Sequence, residues 1–123
     1  MKIVEEKEKW LSKVLKDIVE PKGYDTVKAN LEDYEKPAQL VQNSTGDVFV
    51  PDITAVRNDQ KSYFEIAQKN ENVTRTVSKW KLLSALAEMK GGKFYLISPR
   101  GHFRFTEELV KKYHLQSQII KLN

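Results

Sequence analysis

Two acids stand where apolar strands would bury them. Asp52 lies in the middle of the β-branched run Val48 to Val56, and Glu65 in the middle of Ser62 to Gln68. Side chains alternate along a strand, so Val48, Val50, Asp52, Thr54 and Val56 share one face of the first run, and Tyr63, Glu65, Ala67 and Lys69 share one face of the second. Where those faces align, the carboxylates converge. Like charges in a partly desolvated site repel and raise each other's pKa, which is costly unless a cation sits between them. A hard divalent ion with oxygen ligands, Mg²⁺ or Mn²⁺, meets that need. The competing reading leaves one acid on a half-exposed face or pairs it with a neighbouring Lys or Arg.

Other chemistries are thinly represented. The chain has no cysteine, which excludes disulfides, thiol nucleophiles and Cys-ligated zinc. Its two histidines, His102 and His114, lack metal-ligand spacing, and no Gly-rich loop leads from a strand into a helix in the phosphate-cradling pattern.

The elements that must position the acids can be read from periodicity. From Ile3 to Val19 the residues Ile3, Val4, Trp10, Leu11, Val14, Leu15, Ile18 and Val19 recur at helical spacing, and Pro21 and Gly23 end the helix. Tyr24 to Ala29 reads as a first strand, and Asn30 to Thr45 has no assigned state. Gly46-Asp47 turns into the strand Val48 to Val56; Arg57 to Lys61 is a polar turn, so the Asp52 and Glu65 strands form a hairpin with a five-residue loop. A helix from Thr74 to Lys90 carries Val77, Trp80, Leu83, Leu86 and Ala87 on one stripe, with Gly91-Gly92 as its stop. Lys93 to Ser98 is apolar enough for a strand buried on both faces, and Thr106 begins a last helix with Glu107 and Glu108 in its first turn. The expected fold is α/β, a mixed central sheet flanked by helices in the order α-β-β-β-α-β-α.

At 123 residues, with 40% hydrophobic and 31% charged residues, one domain spanning 1–123 is expected. No apolar run approaches the roughly 18 to 20 residues of a membrane span, and acids occupy the N-terminal stretch where a signal peptide is apolar, so a cytoplasmic location is expected. The net charge of +4 is unevenly spread: residues 1–61 hold ten Lys/Arg against twelve Asp/Glu, and residues 62–123 hold eleven against five. A basic second half suits a polyanion such as nucleic acid, although solvated lysine faces are common in small proteins.

The string Val50-Pro51-Asp52-Ile53-Thr54-Ala55-Val56, a polar turn, then Tyr63-Phe64-Glu65-Ile66-Ala67-Gln68-Lys69 resembles the metal-binding core of the PD-(D/E)XK nuclease superfamily. The order of elements around it resembles the restriction-endonuclease-like fold, nearest to the archaeal-type Holliday junction resolvases, with type I restriction-enzyme nuclease domains second. The resemblance implies a Mg²⁺- or Mn²⁺-dependent endonuclease acting on DNA, with Asp52 and Glu65 as metal ligands. A homodimer or larger assembly is implied as well, because so short a chain has little surface to enclose a duplex. The family's lysine two residues after the Glu is replaced here by Ala67. Lys69, on the same strand face, is the leading substitute, and Lys79 or Lys81 could reach in from the following helix. Some branches add a metal-facing Glu on the first helix, for which Glu8 is the candidate. The alternative is a catalytically degenerate module that keeps the fold for DNA or protein binding.

Candidate nucleic-acid contacts are Arg75, Lys79 and Lys81 near a helix N-terminus, and Arg100 and Arg104 around the Gly101-His102-Phe103 turn. Phe103, Phe105, Trp10 and Trp80 fit core positions better than stacking platforms.

Overall fold

Leu11, Val14, Leu15 and Val19 form the buried stripe of the first helix, α1 (Lys2–Val14), which continues through one wide π turn (Leu15–Val19) and a 3₁₀ turn holding Pro21. Gly23 ends it at φ +73°, a conformation glycine adopts without a Cβ penalty. This computed structural model describes residues 2–122, with side chains from residue 6 onward, so the contributions expected of Ile3 and Val4 lie outside the described side chains.

The strands that follow are β1 (Thr26–Ala29), β2 (Leu40–Val41), β3 (Val48–Phe49), β4 (Ile53–Arg57) and β5 (Gln60–Ile66). Helix α2 (Val73–Met89), strand β6 (Gly91–Pro99), helix α3 (Phe103–Lys112) and strand β7 (Gln118–Leu122) complete the chain. The main sheet is mixed, in the order β1-β4-β5-β6-β7, and β2 and β3 form a separate antiparallel pair. β4 is antiparallel to both β1 and β5, whereas β6 is parallel to β5 and β7 parallel to β6.

Those parallel pairs require crossovers, which α2 and α3 supply in succession. Both helices cover one face, burying Val77, Trp80, Leu83 and Leu109 against Tyr63, Phe94 and Leu96. α1 covers the other, where Leu11, Val14 and Leu15 meet Phe64, Ile66, Tyr95 and Ile97. β5 and β6 are therefore buried on both sides, as their unbroken apolar runs require. No described helix is long and apolar enough to cross a membrane.

Four sequence expectations change. The run Val48 to Val56 is two strands in two sheets, because Pro51 has no N–H for a ladder and restricts Val50 before it. The hairpin loop has two residues, not five: Asn58 and Asp59 take φ +53° and +64°, the backbone of a type I′ turn, and β4 and β5 stay paired up to Arg57 and Gln60. The last helix begins at Phe103, three residues before Thr106, so Glu107 and Glu108 are outside its first turn. Thr106 Oγ1 donates back to the His102 carbonyl at 2.9 Å. Finally, the order α-β-β-β-α-β-α omits the β2/β3 pair and β7, which closes one edge of the sheet.

Gly91-Gly92 stops α2 as expected and also opens β6. Gly91 has φ +71°, and a Cβ on Gly92 would lie 1.9 Å from the Lys61 carbonyl oxygen, where the β5/β6 register shifts. Gly92→Ala must push two central strands apart. Urea unfolding of this variant is expected to show a loss of about 1–3 kcal/mol, the usual cost of overpacking a rigid contact.

Candidate active site

β4 and β5 pair Ile53 with Phe64 and Thr54 with Tyr63; one further step of that register sets Asp52 opposite Glu65. Asp52 itself lies just outside β4, and the two acids close the gap with their side chains. The Asp52 N–H donates to Glu65 Oε1 at 3.0 Å, and the Ile66 N–H donates to Asp52 Oδ2 at 2.9 Å. Each carboxylate thus takes a backbone donor beside the other, replacing the ladder hydrogen bonds that end after Pro51. The Asn30 N–H donates to the Asp52 carbonyl at 2.8 Å and fixes the strand end from the β1 side.

Both acids are buried, Asp52 at 1% and Glu65 at 3% exposure. Their remaining oxygens face lysines. Lys7 of α1 brings its ammonium 2.9 Å from Asp52 Oδ1, and Lys79 of α2 brings its own 2.5 Å from Glu65 Oε2. Two negative charges meet two positive ones, which is what allows the cluster to exist in the interior. Burial pushes the Glu65 carboxyl up to about 7, and the Asp52 charge adds to the rise against the opposing pull of Lys79 and Lys7. For Lys7, burial opposes the charged form, but the two carboxylates outweigh it and hold its pKa above the ordinary lysine value.

Glu65, Lys7 and Lys79 open into a cleft of about 260 Å³, whose walls also include Gln68, Asn70 and Arg75, whereas Asp52 lies outside its lining. Arg75 is anchored there: its guanidinium lies over the Phe49 ring at 4.5 Å and donates to the Val48 carbonyl at 2.8 Å. Asn72 caps α2 by accepting from the Arg75 N–H.

Of the expected site residues, Asp52, Glu65, Arg75 and Lys79 come together. Lys69 does not, because β5 ends at Ile66 and strand parity no longer governs the residues beyond it. Its side chain is exposed, and its backbone N–H donates to His102 Nδ1 at 2.9 Å. Lys81 lies on another side of α2, over the Tyr113 ring at 5.1 Å. Glu8 is exposed, and the helix α1 position that faces the carboxylates belongs to Lys7. Arg100 and Arg104 are exposed around the start of α3 rather than in this cleft.

The sequence reading missed Lys7, although a signal for it exists. Lys7 stands four residues before Leu11 and seven before Val14, on the buried stripe itself, and Glu8 is turned 100° away from it. Lys79 bears the same relation to Leu83 on α2.

Among the described residues, no three or more His, Asp or Glu side chains gather into a group that could hold a metal. No protein-family model, curated protein or solved structure matches the chain.

Proposed function

We propose that the chain is a metal-dependent phosphodiesterase of the PD-(D/E)XK nuclease type acting on DNA, on a restriction-endonuclease-like version of the mixed sheet. One observation carries this reading: Asp52 and Glu65 face each other across adjacent antiparallel strands, with the Lys79 ammonium on Glu65 at the mouth of a basic cleft.

The donor set fits Mg²⁺ or Mn²⁺. Asp52 Oδ1 and Glu65 Oε2 are hard oxygens whose present partners are ammonium groups, and the partly exposed Lys7 can swing off Asp52 to make room for a dication while Lys79 stays beside Glu65. Asp52 and Glu65 would hold the ion, which supplies Lewis acidity toward a phosphodiester and an activated water. The chain's own groups prepare the site: the Asp52 and Ile66 N–H groups fix both carboxylates, so neither must reorganise. Lys79, 18% exposed and paired with Glu65, is the residue we assign to the role of the family's lysine, in place of Lys69. Arg75 and Lys79 make the cleft wall attractive to phosphate. A homodimer or larger assembly that encloses the duplex is part of this reading.

The test is cleavage of linear, branched and single-stranded DNA under Mg²⁺ or Mn²⁺ titration. Asp52→Ala is expected to abolish cleavage and Lys79→Ala to lower its rate by about 10²- to 10⁴-fold, the range for a group active in proton transfer. Lys69→Ala is expected to leave the rate unchanged. Equal rates in all three variants would refute the site.

A second reading has its own support. All four carboxylate oxygens already have protein partners, as a site retired from catalysis and kept for DNA or protein binding would. Salt-dependent DNA binding with no cleavage under either ion would select it.

A further inference from the structure

At the carboxyl ends of the parallel strands β6 and β7, beside the start of α3, lies a second cavity of about 300 Å³, lined by Ser98, Pro99, Arg100, Gly101, Phe103, Lys121 and Leu122. That volume is at the small end of the roughly 300–1,000 Å³ of ligand sites. It holds a group that the rest of the fold leaves unexplained. Ser98 is 1% exposed, and its hydroxyl has no hydrogen-bond partner among the described residues. A buried polar group without a partner is destabilising, so it marks a place where something outside the chain completes the bonding.

The surroundings specify what that is. Ser98 and Lys121 are register partners on β6 and β7, so their side chains leave the sheet on the same face. The Lys121 ammonium stands 4.1 Å from the centre of the Phe103 ring, and the exposed Arg100 lines the same cavity. No carboxylate of the described residues lines the cavity. The ten-residue helix α3 starts here with no side-chain cap: its N-cap His102 offers no hydrogen bond to the first turn and spends Nδ1 on the Lys69 N–H instead. Uncapped leading N–H groups and the helix dipole favour an anion. Gly101 has φ +91° and open space where a Cβ would be, so the turn leaves room.

We propose that this cavity binds a terminal phosphate monoester carried on an apolar or ring-shaped body. Two cations, a hydroxyl and a helix start suit a dianion with three acceptor oxygens better than a carboxylate, which has one charge and two oxygens. Phe103 gives the body an apolar surface. The site is distinct from the carboxylate cleft and does not depend on the nuclease reading. Two sources carry this chemistry, a free mononucleotide and the 5′-phosphorylated end of a nucleic-acid strand.

Titration of the full ¹⁵N-labelled chain by NMR tests the proposal with inorganic phosphate, thymidine, thymidine 5′-monophosphate, and a single-stranded decamer with and without a 5′-phosphate. Shifts are expected at Gly101, Phe103 and Lys121 with the monophosphate and the phosphorylated decamer, weaker ones with inorganic phosphate, and none with thymidine. Tighter binding of the decamer than of the mononucleotide would assign the strand end as the source; equal or weaker binding would assign the free nucleotide. Lys121→Met and Ser98→Ala should each weaken binding at least tenfold. Ser98→Ala should also raise the melting temperature of the ligand-free chain, since it removes an unpartnered hydroxyl. No shifts at these residues, equal response to the two decamers, or shifts spread evenly over Arg75, Lys81 and Arg104 would overturn the proposal.

Discussion

Asp52→Ala is expected to cost the fold about 3–5 kcal/mol in urea unfolding at neutral pH, the range for removing one partner of a buried ion pair. The magnitude follows from what is stranded. The Ile66 N–H loses its acceptor in the interior, and Lys7 loses the charge that made its position tolerable. Lys7 is 36% exposed on a flexible stem, so it can turn toward water, which places the expected loss at the lower end of the range. Asp52→Asn keeps an oxygen for the Ile66 N–H and should lose less. Lys7→Met leaves Asp52 charged and buried without its cation. The cycle formed with Asp52→Ala should therefore show a coupling of about 1–3 kcal/mol, as for contacting residues in one network. Additive single and double variants would mean that the Lys7–Asp52 contact is energetically empty.

The part of the site that depends on strand geometry was legible in the sequence. A period of two and the antiparallel pairing of adjacent strands are enough to bring Asp52 and Glu65 together, whatever the loop between them. The lysines were harder, because they come from helices whose rotation against the sheet is set by packing. Lys79 is a sequence candidate from its place after the Glu65 strand, whereas Lys7 follows only when its spacing to Leu11 and Val14 is read as a shared helix face. Lys69 shares parity with Glu65 only if the strand continues, and β5 ends at Ile66. In the fold, Thr106 resembled a helix cap since its hydroxyl can bond to the backbone, and in the structure it does so to the carbonyl four residues back, inside the helix. β7 was hidden for another reason: as a parallel edge strand it is stabilised by β6, which no local pattern in Gln118–Leu122 records. Asn58-Asp59 did carry a local signal, since Asn and Asp are the residues that most readily accept positive φ in a two-residue turn.

Glu65 should reverse the usual pH dependence of a paired carboxylate. Its pKa is raised in the fold from 4.5 to about 7, with burial as the main cause and Asp52 as the second. Between those values the folded chain holds a proton that the unfolded chain has released. Its contribution to stability is therefore fully present below about 4.5, falls as pH rises, and levels off above about 7. At about 1.4 kcal/mol per unit the fall is of order 3 kcal/mol. Lys7 adds nothing to this slope: its pKa is raised from 10.5, so its stabilising contribution is constant across the window and is lost only in strong alkali. Unfolding free energies from pH 4.5 to 8 for the wild type and Glu65→Gln isolate the effect, because the amide cannot titrate and the difference between the two curves should carry the slope. Parallel curves would show that Glu65 titrates normally in the fold. A dication gives the same group the opposite sign. On the proposed metal-dependent reading Mn²⁺ must find Glu65 ionised, so the affinity should rise by up to tenfold per pH unit below about 7 and flatten above it. The stabilisation that a fixed Mn²⁺ concentration confers should then grow over the window in which the metal-free chain weakens.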